Sequence, residues 1–353
     1  MRWPRSDKMK RWLGPLAELY GKAAAARRHS YEHGRLPQKQ LPRPVISVGA
    51  ITVGGSGKTP LVSHIYGKFS SNRHLVILSR GYGRKDESSY VALPQGARLD
   101  EDAARFFGDE PVMLAKRFDN IPIFLGPERF QAGMNALRHG PVDAFLLDDG
   151  FQHYELHRDF ELVTLDASED PRNLMELPVG TLREPLDALS RAHAFVFQHC
   201  TPDGQHRIDL EWLRGVNAKA TVAKACYEIE SLRDGRTGAI LERETMHNAP
   251  LFLFSGIARP EKIASLLQME SVSLVGNRYF SDHHRFSGKE LRNVEEEAIQ
   301  AGAEALLTTE KDAARLRWSR LRGLPIFVLC IRIRFLEGET ELMQRIGEVI
   351  GVR

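Results

Sequence analysis

Residues 45–62 read VISVGAITVGGSGKTPLV: an apolar run, a glycine-rich turn, a Lys-Thr pair and a resumed helical pattern. A Walker A loop has the form G-x-x-x-x-G-K-[ST] and lies between a strand and a helix. Here the register is Thr52, Val53, Gly54, Gly55, Ser56, Gly57, Lys58 and Thr59, with Thr52 replacing the first glycine. Gly54, Gly55 and Gly57 free the backbone to aim several N–H groups at one anion. Lys58 is then placed to reach the β- and γ-phosphates, and the Thr59 hydroxyl to ligate Mg²⁺. Glycines alone would fit a ligand-free turn equally well; Gly-Lys-Thr after a strand and opening a helix does not.

Outward from this loop, short apolar runs alternate with helical patterns. Strands are predicted over 44–48, 74–79, 121–125, 142–147, 160–165 and 193–198. Near-continuous apolar strands separated by helices imply a parallel sheet covered on both faces. The run AFLLDDGFQH ends its strand in Asp148 and Asp149. That puts carboxylates at the C-terminal edge of the sheet, where α/β folds bind ligands, and one of the two can hold Mg²⁺. The spacing does not say which.

Residues 200–248 are polar and turn-rich, with 219–230 and 239–245 able to pair across RDGRTG as a short β connector. A second series follows: strands at 250–254, 271–275, 304–308 and 325–331, and helices at 288–301 and 338–350. The chain therefore reads as α/β. A P-loop NTPase-like parallel sheet domain with helices on both faces occupies 35–218, a connector 219–248, and a second, smaller α/β domain 249–353.

Composition limits the rest. With 353 residues the chain can bury substantial cores without staples. Cys200, Cys226 and Cys330 are odd in number and far apart, which argues against a disulfide framework and for a reducing compartment. A net charge of +3 is too small to imply a nucleic-acid partner. It is unevenly spread: residues 1–35 hold nine Lys/Arg (Arg2, Arg5, Lys8, Lys10, Arg11, Lys22, Arg27, Arg28 and Arg35) against three acids. No apolar run approaches the roughly 18–20 residues that span a bilayer, and no apolar segment of a signal peptide follows the basic start. Within 1–34, Pro15 suits a first helical turn and Gly34 a helix stop. Leu16, Leu19, Tyr20, Ala23 and Ala24 share one face, with Trp12 and Leu13 just upstream. A basic amphipathic helix of this kind either lies on an anionic membrane surface or packs on its own domain.

A nucleotide site does not by itself separate a motor, a switch and a kinase. A kinase needs a base within reach of the acceptor hydroxyl. Three stretches offer candidates. In GDEP, Asp109 and Glu110 precede a helical run and can cap it or face the cleft. In SDHHRF, Asp282, His283 and His284 set an acid beside imidazoles, a pattern that serves structure as readily as catalysis. In SRGYGRK, Arg80, Tyr82 and Arg84 can bind an anion or sit in a solvated turn. TTEKDAARL puts Lys311 one place too late for a guanine-reading motif, so GTP specificity has no support. The roles of Thr309, Lys311 and Asp312 stay open.

Taken together, TVGGSGKTP, LSRGYGR, GDEP, GPERF, LDDGFQH, GTLREP, FSDHHRF and TTEKDAARL resemble, in order and context, tetraacyldisaccharide 4′-kinase, the lipid A 4′-kinase of Gram-negative bacteria. The resemblance spans nearly the whole chain, and that family's loop departs from the general Walker A in the way Thr52 does here. It implies transfer of the ATP γ-phosphate to the 4′-hydroxyl of a tetraacylated glucosamine disaccharide 1-phosphate. It implies a dyad of Asp109, the base, and His283, which orients or tunes it. It also implies that Asp148 and Asp149 are the family's paired acids, and that Tyr82, Glu110, Arg129, Gln152, His153 and Glu184 line the cleft. A glycolipid acceptor calls for a peripheral enzyme at the cytoplasmic face of the inner membrane, which suits the N-terminal helix; nothing demands more than a monomer. A dyad split between two domains implies that they close for chemistry. The alternatives are a P-loop ATPase or GTPase switch, a non-catalytic nucleotide binder, and a kinase acting on a soluble sugar or nucleotide, which leaves the N-terminal helix unexplained.

Overall fold

The computed structural model describes residues 7–94, 99–118, 120–242, 244–318 and 323–351. Arg2 and Arg5 of the basic N-terminus lie outside them. Thirteen strands among these residues form one sheet. The first seven are β1 (Val45–Ala50), β2 (Leu75–Ser79), β3 (Val91–Ala92), β4 (Ile123–Leu125), β5 (Ala144–Asp148), β6 (Phe160–Asp166) and β7 (Ala194–Gln198). There follow β8 (Thr221–Asp234), β9 (Ile240–Leu241), β10 (Leu251–Ser255), β11 (Leu274–Tyr279), β12 (Ala305–Thr309) and β13 (Ile326–Glu337). Their spatial order is β11-β10-β12-β13-β8-β7-β6-β1-β5-β2-β4-β3, with β9 paired to β8.

Two half-sheets, parallel except for β3 against β4 and β9 against β8, meet at a seam, where β8 and β13 run antiparallel from Phe327 opposite Asp234 to Glu337 opposite Lys224. The predicted hairpin exists, since β9 pairs with the end of β8. Its first strand is also the central strand of the molecule, and β13 runs six residues past its predicted end to match it. The sequence region read as a connector is therefore the middle of a continuous sheet. The strand predicted at 271–275 lies three residues later, and β3 was not foreseen.

Alternation along each strand divides the first half into two cores. Ile46, Val48, Ala144 and Leu146 face the helix Lys58–Phe69 through Leu61, Val62 and Ile65. Val45, Phe145 and Leu147 face the helix Arg129–His139 through Ala132 and Ala136. The second half repeats the scheme, with Leu251 and Leu253 on one face and Phe252 and Phe254 on the other. One expectation fails here. The last helix, Glu339–Ile350, does not complete the second half: Leu342, Met343, Ile346 and Ile350 share a face and join the first core with Leu61 and Ile65. The reason is β13, which delivers the chain back across the seam before the helix starts.

The N-terminal helix spans Asp7–Glu32, so it does not start at Pro15. Pro15 lies inside it at an exposed position, where it removes one backbone donor. The helix docks through Ala17, Gly21 and Arg28, whose guanidinium holds both Asp187 carboxylate oxygens at 3.0 and 2.6 Å. The predicted apolar face turns outward: Trp12 is 85% exposed, Leu19 64% and Leu16 50%.

β1 lies between β6 and β5, the point where strand order reverses. The loops after β1 and β5 therefore leave the same edge side by side, with Val48 in register with Asp148. Open α/β sheets place their ligands at such a switch point.

Candidate active site

The glycine loop turns from β1 into the helix at Lys58 through left-handed residues, Gly54 at φ 100° and Gly57 at φ 77°. At Gly57 a Cβ would also overlap the Tyr227 hydroxyl, so both conformation and space demand glycine. The segment 181–183 pins the loop's entry: Val53 N donates to Thr181 O at 2.8 Å, and Arg183 N to Ile51 O at 2.8 Å. Thr52 sits in this bridge, opposite Leu182, rather than in the turn itself. Lys58 Nζ lies 3.4 Å from Ser56 Oγ and 3.6 Å from Asp149 Oδ1. Thr59 is buried one residue further on.

Asp148 ends β5 and Asp149 turns the chain at φ 55°. Their environments are opposed. Burial, then the charges of Glu110 and Asp149, push the Asp148 carboxyl up to about 8. Its Oδ1 is buried with no hydrogen-bond partner. Asp149 is only half-buried; desolvation opposes its charge, but Lys58 and then Arg183 outweigh that and hold it below the usual carboxylate range. Arg183 Nη1 reaches Asp149 Oδ1 at 2.7 Å.

Across the cleft, Asp109 opens the helix Asp109–Arg117 after Gly108, which is left-handed at φ 91°. Asp109 is buried at the first position of that helix. Its Oδ1 accepts from Glu110 N at 2.9 Å, while Oδ2 lies 2.9 Å from His283 Nδ1. His283, from the second half, is itself left-handed at φ 57° and donates its backbone N–H to Gly256 O at 3.1 Å. Burial opposes ionisation of Asp109, yet the His283 hydrogen bond, then Lys311 and Arg315, bring it down to about 2. The two side chains, one from each half, are in contact in this structure.

The other predicted residues separate into two groups. Tyr82, Glu110, Arg129, Gln152 and His153 line the cleft. Tyr82 sets its ring edge-on to His283 with centroids 5.2 Å apart. Arg129 is buried, its Nη1 donating to Pro127 O at 2.7 Å while Nε has no partner. Burial and then the Arg80 charge pull Arg129 down to about 10. His153 is brought down to about 3, by burial first and then by Arg129 and Arg158, and so is neutral near pH 7. Glu184 does not line the cleft. It is 1% exposed and accepts from Gln152 at 2.8 Å, from Arg191 at 2.8 Å and from the Tyr154 hydroxyl. It fixes Gln152 from behind. Arg84 is likewise buried, donating to Glu87 O at 3.2 Å to brace its loop, whereas Arg80 does reach the cleft. His284 turns away to Glu290 at 3.1 Å.

Residues whose role the sequence left open, or that it passed over, complete the site. Lys311 Nζ contacts Glu110 Oε1 at 3.0 Å and His283 Nε2 at 3.3 Å. Arg315, one helical turn on, lies 3.4 Å from Asp109 Oδ2 and also pairs with Asp312. Asp312 is fully buried and accepts from Ser255 Oγ at 2.7 Å, Gly256 N at 3.0 Å and Thr309 Oγ1 at 2.8 Å. It anchors the turn that carries His283. The only legible signal was helical spacing within TTEKDAARL.

The cleft between these groups measures about 1660 Å³ and is lined from both half-sheets and from Tyr20 and Arg27 of the N-terminal helix. A single small-molecule pocket is roughly 300–1,000 Å³, so two substrates fit together. An anion cradle, an oxygen-rich cation site and a carboxylate–imidazole pair around one such space can support phosphoryl transfer to a hydroxyl.

Comparison with known proteins agrees. Residues 9–350 match the family model LpxK, described as Tetraacyldisaccharide-1-P 4′-kinase. Curated relatives named Tetraacyldisaccharide 4′-kinase include one from Anaeromyxobacter sp. (strain Fw109-5), 36% identical over 340 residues, 95% of this chain and 90% of that protein. Another, from Bdellovibrio bacteriovorus, is 33% identical over 319 residues, 88% of this chain and 90% of that protein. A crystal structure of LpxK from Aquifex aeolicus in complex with ATP is 27% identical, with a TM-score of 0.74 covering 97% of this chain and 99% of that one.

Proposed function

The chain belongs to the tetraacyldisaccharide-1-P 4′-kinase family, and from that premise we propose how its residues divide the reaction. The activity is transfer of the ATP γ-phosphoryl group to the 4′-hydroxyl of tetraacyldisaccharide 1-phosphate, giving lipid IVA in lipid A biosynthesis.

In our reading the loop Thr52–Thr59 grips the triphosphate with backbone N–H groups at a helix N-terminus, and Lys58 reaches its β- and γ-oxygens. Asp109 accepts the proton of the 4′-hydroxyl as that oxygen bonds to the γ-phosphorus and the β–γ bridging bond breaks, releasing ADP. A carboxylate near pKa 2 is a weak base. It suffices because the loose transition state asks the base to orient the hydroxyl more than to deprotonate it early. His283 donates to Asp109 Oδ2 and fixes its direction. Tyr82, Glu110, Arg129, Gln152 and His153 bind the disaccharide and its phosphate, with Glu184 holding Gln152 in place.

Magnesium suits the oxygen set of Thr59, Asp148 and Asp149, because the partnerless Asp148 Oδ1 is a buried acceptor that a hard cation would satisfy. When bound, it neutralises charge on the β- and γ-phosphates.

We further propose a peripheral enzyme on the cytoplasmic face of the inner membrane, acting as a monomer because one chain supplies every group named. No helix among the described residues is long and apolar enough to cross a membrane. Support for surface binding comes from Trp12, Leu16 and Leu19 standing exposed on the helix whose Tyr20 and Arg27 line the cleft.

The observation that carries this reading is the 2.9 Å contact between buried Asp109 and His283, which lines the cleft that also holds the glycine loop. In a steady-state assay Asp109→Ala is expected to lower kcat about 10²- to 10⁴-fold while the KM for ATP stays within about twofold. Retained turnover would show that the base is another group.

A further inference from the structure

His283 stands between a carboxylate and an ammonium, and the two sides make different demands on its ring. Asp109 Oδ2 lies 2.9 Å from Nδ1. Lys311 Nζ lies 3.3 Å from Nε2. We propose that Lys311 is a positioning residue that fixes His283 as its Nδ1–H tautomer, leaving Asp109 alone to take the substrate's proton. This rests on Asp109 being the base.

A lysine ammonium has three donors and no acceptor. The nitrogen that faces it at hydrogen-bond distance must therefore offer a lone pair, which makes Nε2 the acceptor and leaves the ring proton on Nδ1. Nδ1–H then points at the Asp109 carboxylate, which needs a donor. An imidazolium would instead aim Nε2–H at the ammonium. Lys311 is held in this role from its other sides, by Glu110 Oε1 at 3.0 Å and Asp282 Oδ1 at 3.6 Å. Burial works against its charge, but Glu110, Asp109 and Asp282 outweigh it and keep the group above the ordinary lysine range.

Every other charged group facing the ring fits. Arg315 sits 3.4 Å from Asp109 Oδ2 and serves the carboxylate rather than the imidazole. Asp282 Oδ2 is 3.7 Å from Nε2, too far to compete as an acceptor for a proton there. Tyr82 offers its ring edge-on. Without Lys311 no ammonium faces Nε2, and the acids that now pair with it, Glu110 and Asp282, favour a second proton there while Nδ1–H stays on Asp109.

The test is long-range ¹H–¹⁵N NMR of protein labelled at histidine nitrogens, with the His283 signals assigned by their loss in His283→Ala. In the unmodified protein near pH 7 we expect Nδ1 protonated and Nε2 bare. Lys311→Met should add a second proton, on Nε2, and lower kcat about 10- to 100-fold with the KM for ATP within about twofold. Lys311→Arg, again donor-only, should keep the original tautomer. An Nε2–H or doubly protonated ring in the unmodified protein overturns the proposal, as does an unchanged spectrum in Lys311→Met. Should Lys311→Met not fold, the unmodified spectrum still decides. Asp109→Ala separates the two layers: if it stays active the base assignment fails, whereas if it is inactive and the unmodified ring carries Nε2–H, only the tautomer assignment fails.

Discussion

Asp148 and Asp149 are adjacent in sequence and opposite in circumstance. Asp149 is committed to Lys58 and Arg183, while Asp148 keeps a buried oxygen with no partner beside Glu110. On the reading proposed above, that asymmetry would give Asp148 the larger share in holding magnesium, a distinction that adjacent letters cannot make. EDTA is expected to abolish turnover, and Asp148→Asn to raise the magnesium concentration for half-maximal velocity at least tenfold; an unchanged magnesium dependence would contradict the assignment. Lys58, Thr59, Asp148 and Asp149 could be found in the sequence because local spacing defines their place. Lys311 and Arg315 could not, since Glu110 and Asp109 lie some 200 residues away in the chain. The family resemblance implies Glu184 in the cleft; folding shows that Arg191 and Tyr154 enclose it instead.

Among the elements, the N-terminal helix departs most from what a packed helix does. Helices of a globular protein ordinarily bury their apolar stripe, yet here Ala17, Gly21 and Arg28 form the docking side and Trp12, Leu16 and Leu19 face out. Basic residues beside such a stripe add attraction to anionic lipid. Leu16→Glu, which touches the outer face alone, is expected to reduce co-sedimentation with vesicles containing anionic lipid at least fivefold, with little change in thermal stability; undiminished binding would remove the helix from the membrane. The apolar pattern was legible, its direction was not: helical spacing shows that a stripe exists, and only the docked partner shows which side is covered. The parallel strands were legible to within a few residues for the same local reason. β8 and β13 were underestimated because a long antiparallel seam draws its stability from a partner about 100 residues off, which neither run announces.

For the whole molecule, the continuous sheet sets how the two halves meet. The seam, the return of the last helix to the first core, and ties such as Arg117 to Glu310 at 3.0 Å join them. Asp166 adds a second tie to Arg259 and Lys262; burial opposes its charge, and His199, Lys262 and Arg259 hold it down to about 2. Its pKa is lowered on folding, so its contribution is complete above about pH 4 and is lost as pH falls toward 2. Above that range the tie is intact, and the cleft lining holds the glycine loop and His283, with Asp109 buried against His283. The measurement that bears most directly on this account is phosphorylation of the tetraacyldisaccharide 1-phosphate by the purified protein and its Lys58→Ala variant, read by mass spectrometry of the glycolipid. The account predicts one added phosphate at the 4′ position with the unmodified protein and at least a hundredfold slower addition with Lys58→Ala. Equal rates from the two proteins would contradict it.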